Sequence, residues 1–201
     1  MLWVLGCVLD WVGDEITART GLAAVRVPLD RTSGTQEVTL DVPGYLQTNS
    51  YGCGAVAAVM IVRHFHPRKA FGAVYDTVAP DSDLGTSTTR ARRGLRACGI
   101  DVASRHRLTF RGLCKAIEDD RPVMIVIRNP GSSTAHWVVV YGYGKRPDRL
   151  YVAGNNWPWI GTNQIPRREF ESIWDPKGNG LICCKAKRRP IARRVKTSFH
   201  K

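Results

Sequence analysis

Apolar positions along this chain follow two regimes, and the switch between them sets the expected architecture. From Cys53 to Phe65 (Cys-Gly-Ala-Val-Ala-Ala-Val-Met-Ile-Val-Arg-His-Phe) nearly every residue is apolar until Arg63. A helix that is hydrophobic on all sides belongs inside the molecule, so this segment predicts a buried helix. Asn49 and Ser50 ahead of it are capping residue types, and Pro67 stops it. Thr88 to Cys98 predicts a second helix, closed by Gly99 at its C′ position. Phe110, Leu113, Cys114 and Ile117 recur at helical spacing through Thr109 to Glu118, with Thr109 as cap. Then the period shortens. Pro122 to Ile127, Trp137 to Tyr143 and Leu150 to Val152 are β-branched or aromatic runs between Gly, Pro and Asp turns, and they predict strands. Earlier, Glu37 to Val42 alternates polar and apolar as a half-buried strand, ended by Pro43-Gly44. Pro166 to Trp174 predicts a short helix with Phe170, Ile173 and Trp174 inward, and Leu181 to Cys184 a last strand. Helices first and a compact antiparallel sheet second is an α+β architecture.

Length and composition narrow the class. The 201 residues suit one domain that buries its own core, and 43% hydrophobic with 23% charged residues is ordinary globular composition. No apolar run is long enough for a transmembrane helix. Leu2 to Leu9 is apolar but has no basic residue before it and is broken by Asp10. It reads as the first turns of a docked helix, with a weak signal or membrane-touching segment as the alternative. Six cysteines are scattered without a CxxC pair, so neither a zinc site nor a disulfide framework is expected, and no metal or other cofactor is called for. Cys98, Cys114, Cys183 and Cys184 lie in apolar surroundings and read as buried free thiols. The net charge is +13, and Lys185 to Lys201 alone hold eight Lys or Arg and no acid. That basic tail suits an anionic partner (nucleic acid, anionic lipid or an acidic protein) or is simply a solvated terminus. Arg90, Arg92, Arg93 and Arg96 form a smaller basic cluster open to the same two readings.

Cys53 differs from the other cysteines. A thiol is a nucleophile only as thiolate, and a helix N-terminus with its unpaired N–H groups favours the anion. Gly52 and Gly54 remove side chains on either side, which lets a substrate backbone approach the sulfur. A thiolate also needs a base held by a third polar group. His136 is the best of five histidines: it opens the strand Trp137 to Tyr143 directly after the Asn129 to Ser133 loop, at a rim. On position alone, a structural histidine is an equal reading. Asn155 or Asn156, after the strand Leu150 to Val152, is placed to supply the orienting amide, with Trp157 to cover it from water; a plain Asn-Asn turn after a strand is the other reading. Gln47, six residues before Cys53, offers a side-chain N–H to a substrate oxyanion beside the Cys53 main-chain N–H.

Together these segments resemble papain-like cysteine peptidases, and most of all the bacteriocin-processing branch that cleaves leader peptides after a double glycine. The resemblance rests on Val42 to Gln47 followed by Tyr51-Gly52-Cys53-Gly54-Ala55, on Gly99-Ile100, on Arg121 to Ile125, on His136 to Tyr143, and on Glu169-Phe170 with Trp174. It runs from Val42 to Trp174. It implies a papain-like α+β fold, a helical N-terminal part with its buried helix packed on an antiparallel sheet. It also implies Cys53 as nucleophile, His136 as general base and then acid, and Gln47 as oxyanion donor. Asn155-Asn156-Trp157 is similar to the Asn-Ser-Trp of plant papain-type enzymes, which favours Asn155 as the third residue. The bacteriocin-processing branch usually carries Asp followed by Pro there. Gly52, Gly54 and Trp157 would contact substrate.

Three regions are therefore expected: an N-terminal extension, 1–41, packed on the domain; a peptidase domain, 42–184; and the basic tail, 185–201. The implied activity is hydrolysis of a peptide or protein substrate through an acyl-enzyme intermediate. A catalytically silent peptide-binding module and a thiol acyltransferase are the alternatives, and a nucleic-acid-binding protein rests on charge alone. The absence of transporter segments suggests a free-standing protein. A reduced thiol fits the cytoplasm, with secretion as the alternative.

Overall fold

The computed structural model describes residues 24–27, 37–128, 135–144, 148–156, 159–175, 177 and 179–186. Its elements in chain order are strands β1 (Ala24–Val27), β2 (Glu37–Thr39) and β3 (Gly44–Gln47), then helices α1 (Cys53–Phe65), α2 (Phe71–Val78) and α3 (Thr88–Ala97). There follow β4 (Ile100–Arg105), α4 (Phe110–Glu118), β5 (Val123–Arg128), β6 (Ala135–Gly144), β7 (Arg149–Gly154), β8 (Gly161–Pro166), α5 (Arg167–Ile173) and β9 (Gly180–Lys185). The main sheet runs β4-β9-β5-β6-β7-β8, every pairing antiparallel, with β2 added against β6. A separate ribbon joins β1 to β3.

Layering follows from the apolar pattern. On α1, every residue from Gly54 to Val62 is buried. Its neighbours are α2, α3 and one face of the sheet, to which β6 contributes Trp137, Val139 and Tyr141 and β7 contributes Tyr151 and Ala153. The opposite face carries Val138, Val140, Leu150 and Val152 and packs against Phe110, Leu113 and Ile117 of α4 and Phe170 of α5. The sheet is thus sandwiched between two helical layers, with alternate residues serving different cores. One irregularity matters. Pairing of β6 with β7 slips between Val140 and Gly142, a bulge that reverses the alternation. Tyr143 accordingly joins the α4 side, where its hydroxyl donates to Glu118.

The expected cap of α4 is in place, Thr109 accepting from Gly112 N–H, and α3 is capped by Ser87, which accepts from Arg90 N–H. Gly99 has φ +87°, the left-handed conformation that ends α3. Other expectations need correction. Pro43-Gly44 does not close a strand reaching Val42; β2 stops at Thr39 and Gly44 opens β3. Asn49 and Ser50 do not cap α1, whose N-cap is Gly52 without a side-chain bond, because they lie three and two residues ahead of that position; Asn49 Nδ2 donates to the Tyr75 hydroxyl. Pro166 is the N-cap of α5 rather than its first helical residue. Helix α2 and strands β4 and β8 were not anticipated. Since β4 lies between α3 and α4 and pairs with β9 at the sheet edge, helices and strands are more interleaved than a helices-first chain. Residues 1–23 and 28–36 of the expected extension, most of the tail (187–201), the Asn129 to Ser133 loop and Trp157 lie outside the described residues.

Candidate active site

Cys53 is the first residue of α1, and α1 runs through the middle of the first core. Its thiol accepts from the main-chain N–H of Trp137 and lies against its own N–H and that of Gly54. These donors favour the thiolate, as a helix N-terminus should. Burial outweighs them, so the Cys53 thiol titrates above an ordinary cysteine.

The Trp137 contact sets the sulfur one residue from His136 along β6. His136 is buried, 5% exposed, and lies in register with Ile127 of β5. Desolvation drives its imidazole down to about 4, so the ring is neutral at pH 7. The neighbouring Asn155 side chain opposes that shift. Its contact falls short of full hydrogen-bond geometry: among the described residues, His136 Nε2 and Asn155 Oδ1 are both buried without a partner.

Asn155 ties the place together. It follows β7 and is fully buried. Its Nδ2 donates to the Cys53 carbonyl at 2.9 Å, and its own carbonyl accepts from Gln47 N–H at 2.7 Å. Gln47 closes β3 and is buried, and its Nε2 donates to the Asn49 carbonyl at 2.6 Å while Oε1 lacks a partner. Four elements, β3, α1, β6 and the end of β7, therefore converge on one spot. Gln47, Cys53, His136 and Asn155 all lie there; Asn156 is next in the chain and half-buried.

Close packing holds both flanking glycines to their type. A Cβ at Gly54 would stand 2.4 Å from the Thr86 Cβ and 2.8 Å from the Trp137 ring. One at Gly52 would stand 2.5 Å from Asn49 Oδ1 and 2.8 Å from the Tyr75 hydroxyl. The protein's own side chains fill both volumes, which leaves no room for a side chain at either position.

Sequence reasoning missed the surrounding shell. Trp137 Nε1 donates to the Thr86 carbonyl at 2.7 Å, and the two residues wall the site beside Gly54. Asn49 Nδ2 donates to the Tyr75 hydroxyl at 2.9 Å, so α2 braces the segment carrying Gln47. A usable signal existed for Tyr75: Phe71, Val74, Tyr75 and Val78 recur at helical spacing. The Trp137 main-chain donor has none. No group of three or more His, Cys, Asp or Glu able to hold a metal ion occurs among the described residues.

The family model for the Peptidase_C39 like family matches residues 39–182, a span that holds all four of these residues. The chain belongs to the Peptidase_C39 like family. Three solved structures have a similar fold. A double glycine motif protease from an AMS/PCAT transporter, in complex with its leader peptide, is 22% identical with TM-score 0.57, over 77% of this chain and 100% of that one. The peptidase domain of Streptococcus ComA, a bi-functional ABC transporter involved in quorum sensing, is 16% identical with TM-score 0.55 over 77% and 100%. A C39-like protein from Bacillus anthracis is 14% identical with TM-score 0.58 over 76% and 99%. At such identities the likeness concerns the fold, which is the α+β papain-like fold of C39 peptidases. No curated protein matches this Peptidase_C39 like chain. Among its described residues no helix is long and apolar enough to cross a membrane.

Proposed function

We propose that this Peptidase_C39 like protein hydrolyses peptide bonds by thiol chemistry at Cys53. The observation that supports the reading is the Trp137 N–H bond to the Cys53 thiol, which ties the sulfur to the main chain of the residue that follows His136. The neutral imidazole takes the thiol proton, and the sulfur attacks the substrate carbonyl. The resulting oxyanion receives the Cys53 N–H and the second Nε2 proton of Gln47, the first being held by the Asn49 carbonyl. His136 returns its proton to the leaving amine, and water, deprotonated by the same ring, releases the acid. Asn155 Oδ1 orients the ring by accepting its N–H, a role favoured by the absence of any other partner for that oxygen. The substrate is a peptide, since a relative of the same fold was solved with its leader peptide. A cytoplasmic setting suits the reduced thiol.

An epoxysuccinyl peptide probe tests this directly. Cys53 should be labelled faster than the half-buried Cys114 and Cys184, and His136→Ala should abolish the difference. Cys53→Ala should end turnover of a fluorogenic peptide pool.

One observation favours a silent, peptide-binding module instead. Burial holds the thiol and the imidazole both in their neutral forms, whereas a poised thiolate–imidazolium pair needs the charged ones. Labelling of Cys53 at the rate of the other thiols, indifferent to His136, would select that reading.

A further inference from the structure

At the far end of α1 from Cys53 lies a groove of about 850 Å³. Its rim carries Arg68, Lys69 and Lys185, all exposed, and no acid lines it. Among the described residues none of these three cations makes an ion pair with an acid. Its floor is largely apolar, formed by the last residue of α1, Phe65, with Pro67 and the buried Cys98. His66 contributes a buried Nε2 without a partner. Beyond Ala186 the sequence continues with seven further Lys or Arg in residues 187–201 and no acid.

We infer that this groove is a docking site for an acidic peptide segment of a partner protein, one that alternates carboxylate and apolar side chains. Three uncompensated cations within one groove repel each other and attract anions, which steers an acidic chain toward it. A phosphate backbone or a lipid headgroup satisfies the rim equally well but leaves the apolar floor unused. A peptide with Glu or Asp beside Leu satisfies both, with carboxylates on Arg68 and Lys69 and an apolar side chain over Phe65. The 13-residue α1 separates the groove from Cys53 by about 18 Å, so occupancy does not obstruct the thiol. The site does not depend on the peptidase reading.

Fluorescence anisotropy of a labelled twelve-residue Glu/Leu peptide against the full chain tests the assignment. Binding should weaken at least tenfold in Arg68→Glu/Lys69→Glu and several-fold in Arg68→Ala/Lys69→Ala, with circular dichroism unchanged. A Glu/Ser peptide of equal charge should bind several-fold more weakly, because it lacks side chains for the floor. Ending the chain after Ala186 should leave more than half of the sensitivity to the Arg68/Lys69 reversal. Four outcomes would overturn the inference. They are reversal variants that bind like the parent, loss of all binding with the tail alone, equal affinity for the Glu/Ser peptide, and tighter binding of an oligonucleotide or anionic vesicle dependent on Arg68 and Lys69.

Discussion

His136 couples the candidate site to stability. Its ring titrates near 6.5 when unfolded and at about 4 when buried in the fold. Between those values the unfolded chain holds more protons, so stability rises with pH across that window. The contribution is complete above 6.5 and is lost as pH falls to about 4, an effect of roughly 3 kcal/mol. His136→Gln should remove it, and urea midpoints at pH 4.5, 5.5 and 7 should vary less in the variant than in the parent. Equal slopes would mean that the ring is not desolvated in solution. Gly54 is a second sensitive position. A methyl there meets the Thr86 Cβ at 2.4 Å, so Gly54→Ala should lower stability by about 1–3 kcal/mol, read as a drop in melting temperature. Tyr75 acts further out, through Asn49 on the segment holding Gln47. If Gln47 serves the oxyanion, Tyr75→Phe should reduce kcat several-fold with KM little changed, and a KM effect alone would argue against that role.

Elements differ in how much of their formation is local. Helix α4 is defined by its own residues: Thr109 caps it, and Phe110, Leu113 and Ile117 form its buried stripe. Thr109→Ala should therefore cost about 1 kcal/mol in denaturant titrations. Helix α1 has no side-chain cap and no amphipathic stripe, and its stability comes from burial on every side. That is why a run of apolar residues is enough to bound it at Cys53 and Phe65, while the capping types Asn49 and Ser50 ahead of it play no part in its start. Strand β6 shows the opposite limit. Its apolar run was plain, but the bulge between Val140 and Gly142, which turns Tyr143 to the other core, depends on pairing with β7 and leaves no local mark. Short strands β4 and β8 were missed for the same reason. Ile100–Arg105 and Gly161–Pro166 carry few apolar residues, and they are strands because β9 and β7 offer them partners.

Across the molecule, one sheet serves two cores, and that arrangement makes the fold cooperative. Phe170 is fully buried on the face away from α1, its ring tilted against that of Trp174 with centroids 5.0 Å apart. Phe170→Ala should lower stability by about 3–5 kcal/mol and shift unfolding by every probe together, because both layers share the same strands. Separate transitions for the two layers would show that the sheet does not couple them. Much was readable from residue order alone: the α+β class, the buried helix with its cysteine, the glycine that ends α3, the cap of α4, and the family to which the chain belongs. These rest on periodicity, on capping chemistry and on short motifs, which are properties of neighbouring residues. Tertiary structure alone decided that Gln47, Cys53, His136 and Asn155 share one spot, because they sit on four elements as much as 108 residues apart. It also decided that the thiol and the imidazole are desolvated into their neutral forms, and that Gly52 and Gly54 yield their space to Asn49, Tyr75, Thr86 and Trp137. Desolvation and close approach depend on what the rest of the chain places around a group, and no stretch of sequence carries that information by itself.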